Sequence, residues 1–285
     1  MNDFKTIFED KDQEERIAKR MARAGLCSRR DAEKWILAKR VMVDGVTIDT
    51  PAFKVSNKSS ILVDGNAIPE KEKPRLWRYH KPPSQITTTR DVRGRTTVFE
   101  NLPKDMPRVV SVGRLDYDSE GLLLLTNDGE LARLLELPST AWIRRYRVRV
   151  YGRPQLSNLE KLSNGVTLDG IKYGAIDIKL DKQGPSNAWL TIGLREGKNR
   201  EVRRLMESIE LKVMRLIRIS FGPFQLGNLE ASGIEEVKQF SLKEQLGVPS
   251  IKKENFGRAA PKKRTSHKIR DTKRNADRSR SQSRR

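Results

Sequence analysis

Arg114, Leu115 and Asp116 lie in a short polar loop, GRLDYDSEG, between two apolar runs, Val109 to Val112 and Leu122 to Leu125. Such runs read as buried strands, so the loop hangs from a rigid frame. A nearby guanidinium favours the charged form of a carboxylate. Asp116, presented this way, suits the work of a nucleophile or a base. The bland alternative is a turn aspartate bonded to Arg114 or to the loop's own amides, and periodicity alone does not choose. Asp116 and Glu120 could also be the acid pair of a glycosidase, but a strongly basic chain fits a neutral sugar poorly.

The rest of the inventory narrows the chemistry. Cys27 is the sole cysteine, and His80 and His267 are the sole histidines, among 285 residues. No internal disulfide, zinc site or histidine triad can be drawn from them. Catalysis would fall to carboxylate, arginine, lysine, tyrosine or hydroxyl groups, with no metal and no cofactor expected. The formal charge of +21 favours a polyanion, because each neutralised phosphate releases condensed counter-ions. No apolar run approaches the ~20 residues that span a bilayer, and Met1 to Glu15 is too acidic for a signal peptide. We expect a nucleic-acid partner, no membrane, the reducing cytoplasm, and a monomer by default.

Three regions must position these groups. From Glu15 to Pro69, Ile17, Met21 and Ala24 recur at helical spacing up to Gly25. Ser28 caps a second helix with Ala32, Trp35 and Ile36 on its apolar face. Two hairpins follow, around Asp44-Gly45 and Asp64-Gly65. A charged linker, EKEKPR, leads into a region from Leu76 to Phe240 where short strands outnumber helices. The expected class is α+β: a small N-terminal α/β module, then a mixed, antiparallel-rich sheet with a few helices. From Ile251 to Arg285, fourteen Lys/Arg face three acidic residues, which reads as a disordered basic tail.

GRLDYDSEGLLLLTNDGELA closely resembles the catalytic motif of the RsuA/RluB-type ribosomal RNA pseudouridine synthases, with Ser119 where threonine is usual. Three further segments match in order. LWRYHKPPSQITTT resembles the family's opening strand, with Ser84 where glycine is common; IRRYRVRVYG resembles its Lys-x-Tyr motif, with Arg144 for lysine; LREGKNREVRRLME resembles its third motif. AGLCSRRDAEKWILAKRVMVDG is similar to the S-four type RNA-binding domain. The resemblance spans residues 15 to 235. It implies a cofactor-free isomerase that converts a uridine of ribosomal RNA, more readily in the large subunit, to pseudouridine. A non-catalytic RNA-binding or ribosome-assembly factor on the same fold is the alternative.

The resemblance also implies roles. Asp116 is the essential catalytic residue, Tyr146 stacks on the target uracil, and Arg203 salt-bridges Asp116. The target must leave its helix to reach the pocket, and Arg114 is the side chain to fill the gap. On a helix from Asn199, Arg203 falls at the edge of the stripe Val202, Leu205, Met206 and Ile209, whereas Arg204 points away toward solvent or RNA. Gly197-Lys198-Asn199 reads as a basic turn before a helix, a place for phosphate. Arg145, Arg147 and Arg149 alternate with Tyr146, Val148 and Val150, and form either a solvated face or a phosphate stripe. Arg29, Arg30, Lys34 and Arg40 lie on or beside the second helix, suited to the backbone of folded RNA in ribosomal RNA or an assembly intermediate. Cys27 is a small buried residue, and His80 has no assigned chemistry.

Overall fold

The computed structural model describes residues 4–9, 14–89 and 91–249. The tail from Ile251 onward, expected to be disordered, lies outside the described residues.

α1 (Lys5–Phe8) precedes β1 (Glu15–Arg16) and α2 (Ile17–Arg23), which buries Ile17, Ala18 and Met21. Gly25, at φ +77°, turns the chain after α2. Ser28 accepts the Asp31 amide at 3.1 Å and starts α3 (Arg29–Leu37), which buries Ala32 and Ile36. β2 (Val41–Val43) and β3 (Val46–Ile48) form the first hairpin. β4 (Lys54–Val55) pairs with β1, and β5 (Ile61–Val63) with β6 (Asn66–Ala67) forms the second hairpin. Strand order β3-β2-β5-β6 gives a small sheet, and its Val41, Val43, Ile48, Ile61 and Val63 share one core with the two helices.

β7 (Leu76–Lys81), β8 (Val110–Val112) and β9 (Glu120–Thr126) start the main sheet. α4 (Gly129–Glu136), β10 (Arg144–Tyr151), α5 (Leu156–Ser163) and a small hairpin of β11 (Val166–Leu168) and β12 (Ile171–Tyr173) follow. β13 (Asp177–Gln183), β14 (Asn187–Leu194), α6 (Glu201–Glu207) and β15 (Lys212–Phe221) come next, then β16 (Phe224–Gln225), β17 (Ile234–Val237) and α7 (Gln239–Gln245). The nine strands run β13-β14-β10-β15-β9-β7-β17, with β8 beside β9 and β16 beside β15. Only the β9–β15 pairing is parallel, so the fold is the antiparallel-rich α+β arrangement expected.

β9 explains the frame of the Asp116 loop. Leu122 and Leu124 enter one core with Leu76, α4 residues and Phe221, while Leu123 and Leu125 enter another with Trp77, Tyr79 and Leu115. A strand covered on both faces is apolar throughout rather than alternating. Each of these leucines contributes about 1.5–3 kcal/mol. α5 and α6 close a further core on Val148, Val150, Leu190 and Ile192, and Tyr146 packs between it and the Leu115 core. Gly121 draws β9 against β15: at φ +105°, an added Cβ would lie 2.4 Å from the Arg218 carbonyl oxygen. No larger residue fits there.

Several elements have no clear pattern in the sequence, among them α1, β1, β4 and β16. The β11–β12 hairpin is too short for a pattern, IEEV of β17 puts two acids in a strand, and α7 buries only Leu242. The third-motif helix begins at Glu201 rather than near Asn199, because Arg200 takes a left-handed conformation at φ +50° and breaks the helical run. Among the described residues no helix is long and apolar enough to cross a membrane.

Candidate active site

The loop that carries Asp116 is tied down by its backbone. Gly113 N–H donates to Glu136 Oε1 at 2.6 Å. Thr87 Oγ1 donates to the Leu115 carbonyl at 3.0 Å and lies 3.3 Å from the Leu115 amide. Ser84 N–H donates to the Tyr117 carbonyl at 2.7 Å, and Ser84 sits at φ +65°, which explains why glycine would serve there. Beneath the loop lies Lys81, 0% exposed. Its Nζ donates to the carbonyls of Ser119 at 2.7 Å, Pro82 at 3.0 Å and Tyr117 at 3.4 Å. Burial pulls its pKa down to about 8, against the opposing pull of Asp118, Asp116 and Glu120. Sequence reasoning passed over Lys81; the signal was a lysine on the inward face of β7, where Tyr79 precedes it.

Asp116 itself is 34% exposed in its side chain, open to a partner from outside. Two of its expected partners are corrected. Arg203 does not bridge Asp116: its Nη2 lies 3.0 Å from Asp118 Oδ2 and donates to the Asp118 carbonyl at 3.3 Å. Among the described residues the ion-pair partner of Asp116 is Arg200, with Nη1 4.0 Å from Asp116 Oδ2 and 3.7 Å from Asp118 Oδ1. The late start of α6 is the cause: Arg203, packed in its first turn, reaches the far end of the loop, while Arg200 at the entrance reaches Asp116. Arg114 is exposed, and no ion pair of Arg114 exists among the described residues. With Leu115 buried and pinned by Thr87, the neighbouring guanidinium is left in solvent. Glu120, the other acid weighed, is bound by Arg215 at 3.2 Å and is not a free partner for Asp116.

Tyr146 is half-buried on the same face of β10 as Val148 and Val150, with Arg145, Arg147 and Arg149 exposed on the other. Arg144 is half-buried and donates from Nη1 to the Trp142 and Arg195 carbonyls, each at 3.2 Å. Arg204 is also half-buried, less solvated than the wheel suggests.

The basic turn before α6 is not an open anion site. Lys198 pairs with Glu196, and its amide donates to Glu201 Oε2 at 2.9 Å, so internal carboxylates fill the place expected for phosphate. Asn199 remains exposed. Glu201 is 3% exposed. Burial first, then Glu196, pushes its pKa up to about 7, although Lys198 opposes. A carboxyl raised from 4.5 favours folding in its neutral form. That stability is complete below about 4.5, and is lost as pH rises to about 7. Glu201→Gln should therefore be neutral at pH 4.5 and more stable than wild type at pH 8, by about 3 kcal/mol. Urea melts at the two pH values check this; equal differences at both would contradict it.

The basic residues of α3 divide. Arg30 and Lys34 line a cleft of about 780 Å³, opposite Lys104, Arg108, Thr88 and Thr89. No local pattern marks Lys104 and Arg108; only the fold brings them to α3. Arg29 is exposed outside this lining, and Arg40 bonds Asp64 through Nε at 2.9 Å and stacks 5.1 Å over Trp35. Arg23 of α2 lies 2.8 Å from Asp128, the N-cap of α4. Burial pushes the Cys27 thiol up to about 11, which fits an inert core residue. His80 Nδ1 lies 2.7 Å from the Leu229 carbonyl. No group of three or more metal-ligating side chains occurs among the described residues.

Comparison with known proteins accords with this geometry. Residues 75–208 match the RNA pseudouridylate synthase family, and residues 15–61 match the S4 domain. An uncharacterized RNA pseudouridine synthase of Rickettsia felis is 50% identical over 223 residues, covering 78% of this chain and 96% of the relative. Ribosomal large subunit pseudouridine synthase B of Salmonella typhi is 42% identical over 218 residues, 74% of this chain and 75% of the relative. A crystal structure of a pseudouridylate synthase has the same fold, with a TM-score of 0.59 over 81% of this chain and 99% of that one, at 20% identity. A relative half identical over nearly its whole length leaves one assignment: the chain belongs to the RNA pseudouridine synthase family.

Proposed function

We propose that this protein converts a uridine of large-subunit ribosomal RNA to pseudouridine, using Asp116 and no cofactor. One observation carries the assignment of the catalytic group: a part-exposed carboxylate on a backbone-pinned loop, with the Arg200 guanidinium 4.0 Å away. The bond from ribose C1′ to uracil N1 breaks, the base turns, and C5 joins C1′. C5 loses its proton and N1 gains one. Asp116 serves by attack on sugar or base, or by taking a ribose proton; each needs an anion with a free edge. Tyr146 stacks on the base, and Arg200 and Arg203 hold the two aspartates of the loop. The exposed Arg114 fills the stack behind the flipped uridine.

Residues 15–69 and 76–240 act as binding and catalytic domains of a cytoplasmic monomer, with RNA backbone along Arg30, Lys34, Lys104 and Arg108. The Salmonella relative's name supports the large-subunit target. Mapping pseudouridines in total ribosomal RNA from a strain lacking the gene tests the target: one large-subunit position should revert to uridine. Loss confined to the small subunit, or no loss, contradicts it.

Residues 251–285, with fourteen Lys/Arg, add general affinity for RNA. Their deletion should weaken binding about tenfold at low salt and flatten the dependence of affinity on salt. An unchanged slope in a filter-binding titration would give the tail another use.

A further inference from the structure

Arg218 is a buried cation that the function above leaves unused. It sits on β15 directly opposite Tyr146 of β10, on the shared face, beside a register shift in β10. It is 3% exposed. Nε donates to the Leu122 carbonyl at 2.7 Å, the guanidinium faces the Tyr146 side chain across the strand pair, and it lies 5.4 Å from the Phe221 ring centre. Nη2 has no hydrogen-bond partner among the described residues.

No carboxylate pairs with Arg218 among the described residues, unlike buried Arg203, which has Asp118. Its charged neighbour is Arg144, which only adds repulsion. A guanidinium buried without a counter-ion is strongly unfavourable, and an apolar side chain of similar volume would stabilise the sheet. Burial accordingly lowers the Arg218 pKa. Such a group persists where its charge is needed. The functional side chain opposite it is Tyr146.

We propose that Arg218 is a positioning residue for the isomerisation: it donates to the Tyr146 hydroxyl, fixes the tilt of the ring, and places positive charge beneath the stacked uracil. This rests on the isomerase reading above. When the C1′–N1 bond breaks, the electron pair stays on uracil, so the detached base is anionic until C5 bonds to C1′. An uncompensated cation behind the stacking ring holds that anion in place while it turns, and no covalent step passes through Arg218.

The test combines Arg218→Met, Arg218→Gln, Tyr146→Phe and the Arg218→Met/Tyr146→Phe double variant, in the full chain with a ribosomal RNA transcript. Arg218→Met should melt at or above the wild-type temperature and keep KM within about twofold, while the single-turnover rate falls about thirtyfold. Arg218→Gln, which keeps a donor without charge, should recover only part of that rate. Arg218→Met on top of Tyr146→Phe should cost less than about threefold, because both changes remove one interaction. The RNA-free protein gives a second readout: on 13C-labelled tyrosine, the Tyr146 ring should flip at least about tenfold faster in Arg218→Met. A wild-type rate in Arg218→Met, losses that multiply fully, or an unchanged ring-flip rate overturns the proposal. An inactive wild type with a faster-flipping variant ring would sink the isomerase reading and leave the Arg218–Tyr146 contact standing.

Discussion

Asp116→Asn is expected to bind ribosomal RNA within about twofold of wild type and to form pseudouridine at least about a thousandfold more slowly. The substitution keeps the shape of the side chain and every backbone bond of the loop, since those run through Gly113, Leu115, Tyr117 and Ser119 rather than the carboxylate. Only the anion is lost. Arg200 retains Asp118 at 3.7 Å, so no guanidinium is stranded and stability should change by less than about 1 kcal/mol. Nucleoside analysis of the reacted transcript gives the outcome. Residual product above a few per cent of the wild-type rate would remove Asp116 from the chemistry. The same variant separates an enzyme from an assembly factor, because a pure binder would restore the phenotype of a deletion strain with Asp116→Asn.

Lys81→Met is the second large effect, and it acts through the loop instead of the anion. Three carbonyls lose their shared donor in a site closed to water, at a cost of about 3 kcal/mol or more. The melting temperature should fall by about 6–12 °C. Activity should fall at least about a hundredfold even in protein that remains folded, because Asp116 is no longer held in place beside Arg200. The wild-type enzyme should also lose activity as pH rises through about 8, when Lys81 sheds its proton beside Asp116, Asp118 and Glu120. Stability moves the other way. A lysine depressed from 10.5 to about 8 binds fewer protons folded than unfolded between those values, so stability rises with pH across that window. Calorimetry and a pH–rate profile on the two proteins test both signs. A methionine variant with wild-type melting and rate would show that the buried ammonium is incidental.

The sequence carried the frame of the site well, for local reasons. Ser28 and Gly25 bound their helices by capping, Asp44-Gly45 and Asp64-Gly65 turned their hairpins, and four leucines in a row marked a strand covered on both faces. These are short-range preferences that a pattern expresses directly. The ion pairs were less legible. Arg203 was placed correctly at the edge of the buried stripe, but its partner is Asp118, because a single left-handed residue at Arg200 re-aims the whole helix. Arg114 sits two residues from Asp116 and yet does not pair with it, since a buried Leu115 between them fixes the loop. Lys81, Lys104, Arg108 and Arg218 meet their partners across 36, 70 or more residues, and only strand register and domain packing reveal those meetings. Resemblance to a family supplied the chemistry; pattern supplied the scaffold.

The most direct measurement is tritium release from a large-subunit ribosomal RNA transcript labelled at uridine C5, incubated with the purified wild-type protein and EDTA. Isomerisation must expel the C5 hydrogen, so release should reach about one per RNA molecule at a single position and be absent with Asp116→Asn. Tight binding of that RNA by the wild-type protein with no tritium released would contradict the account.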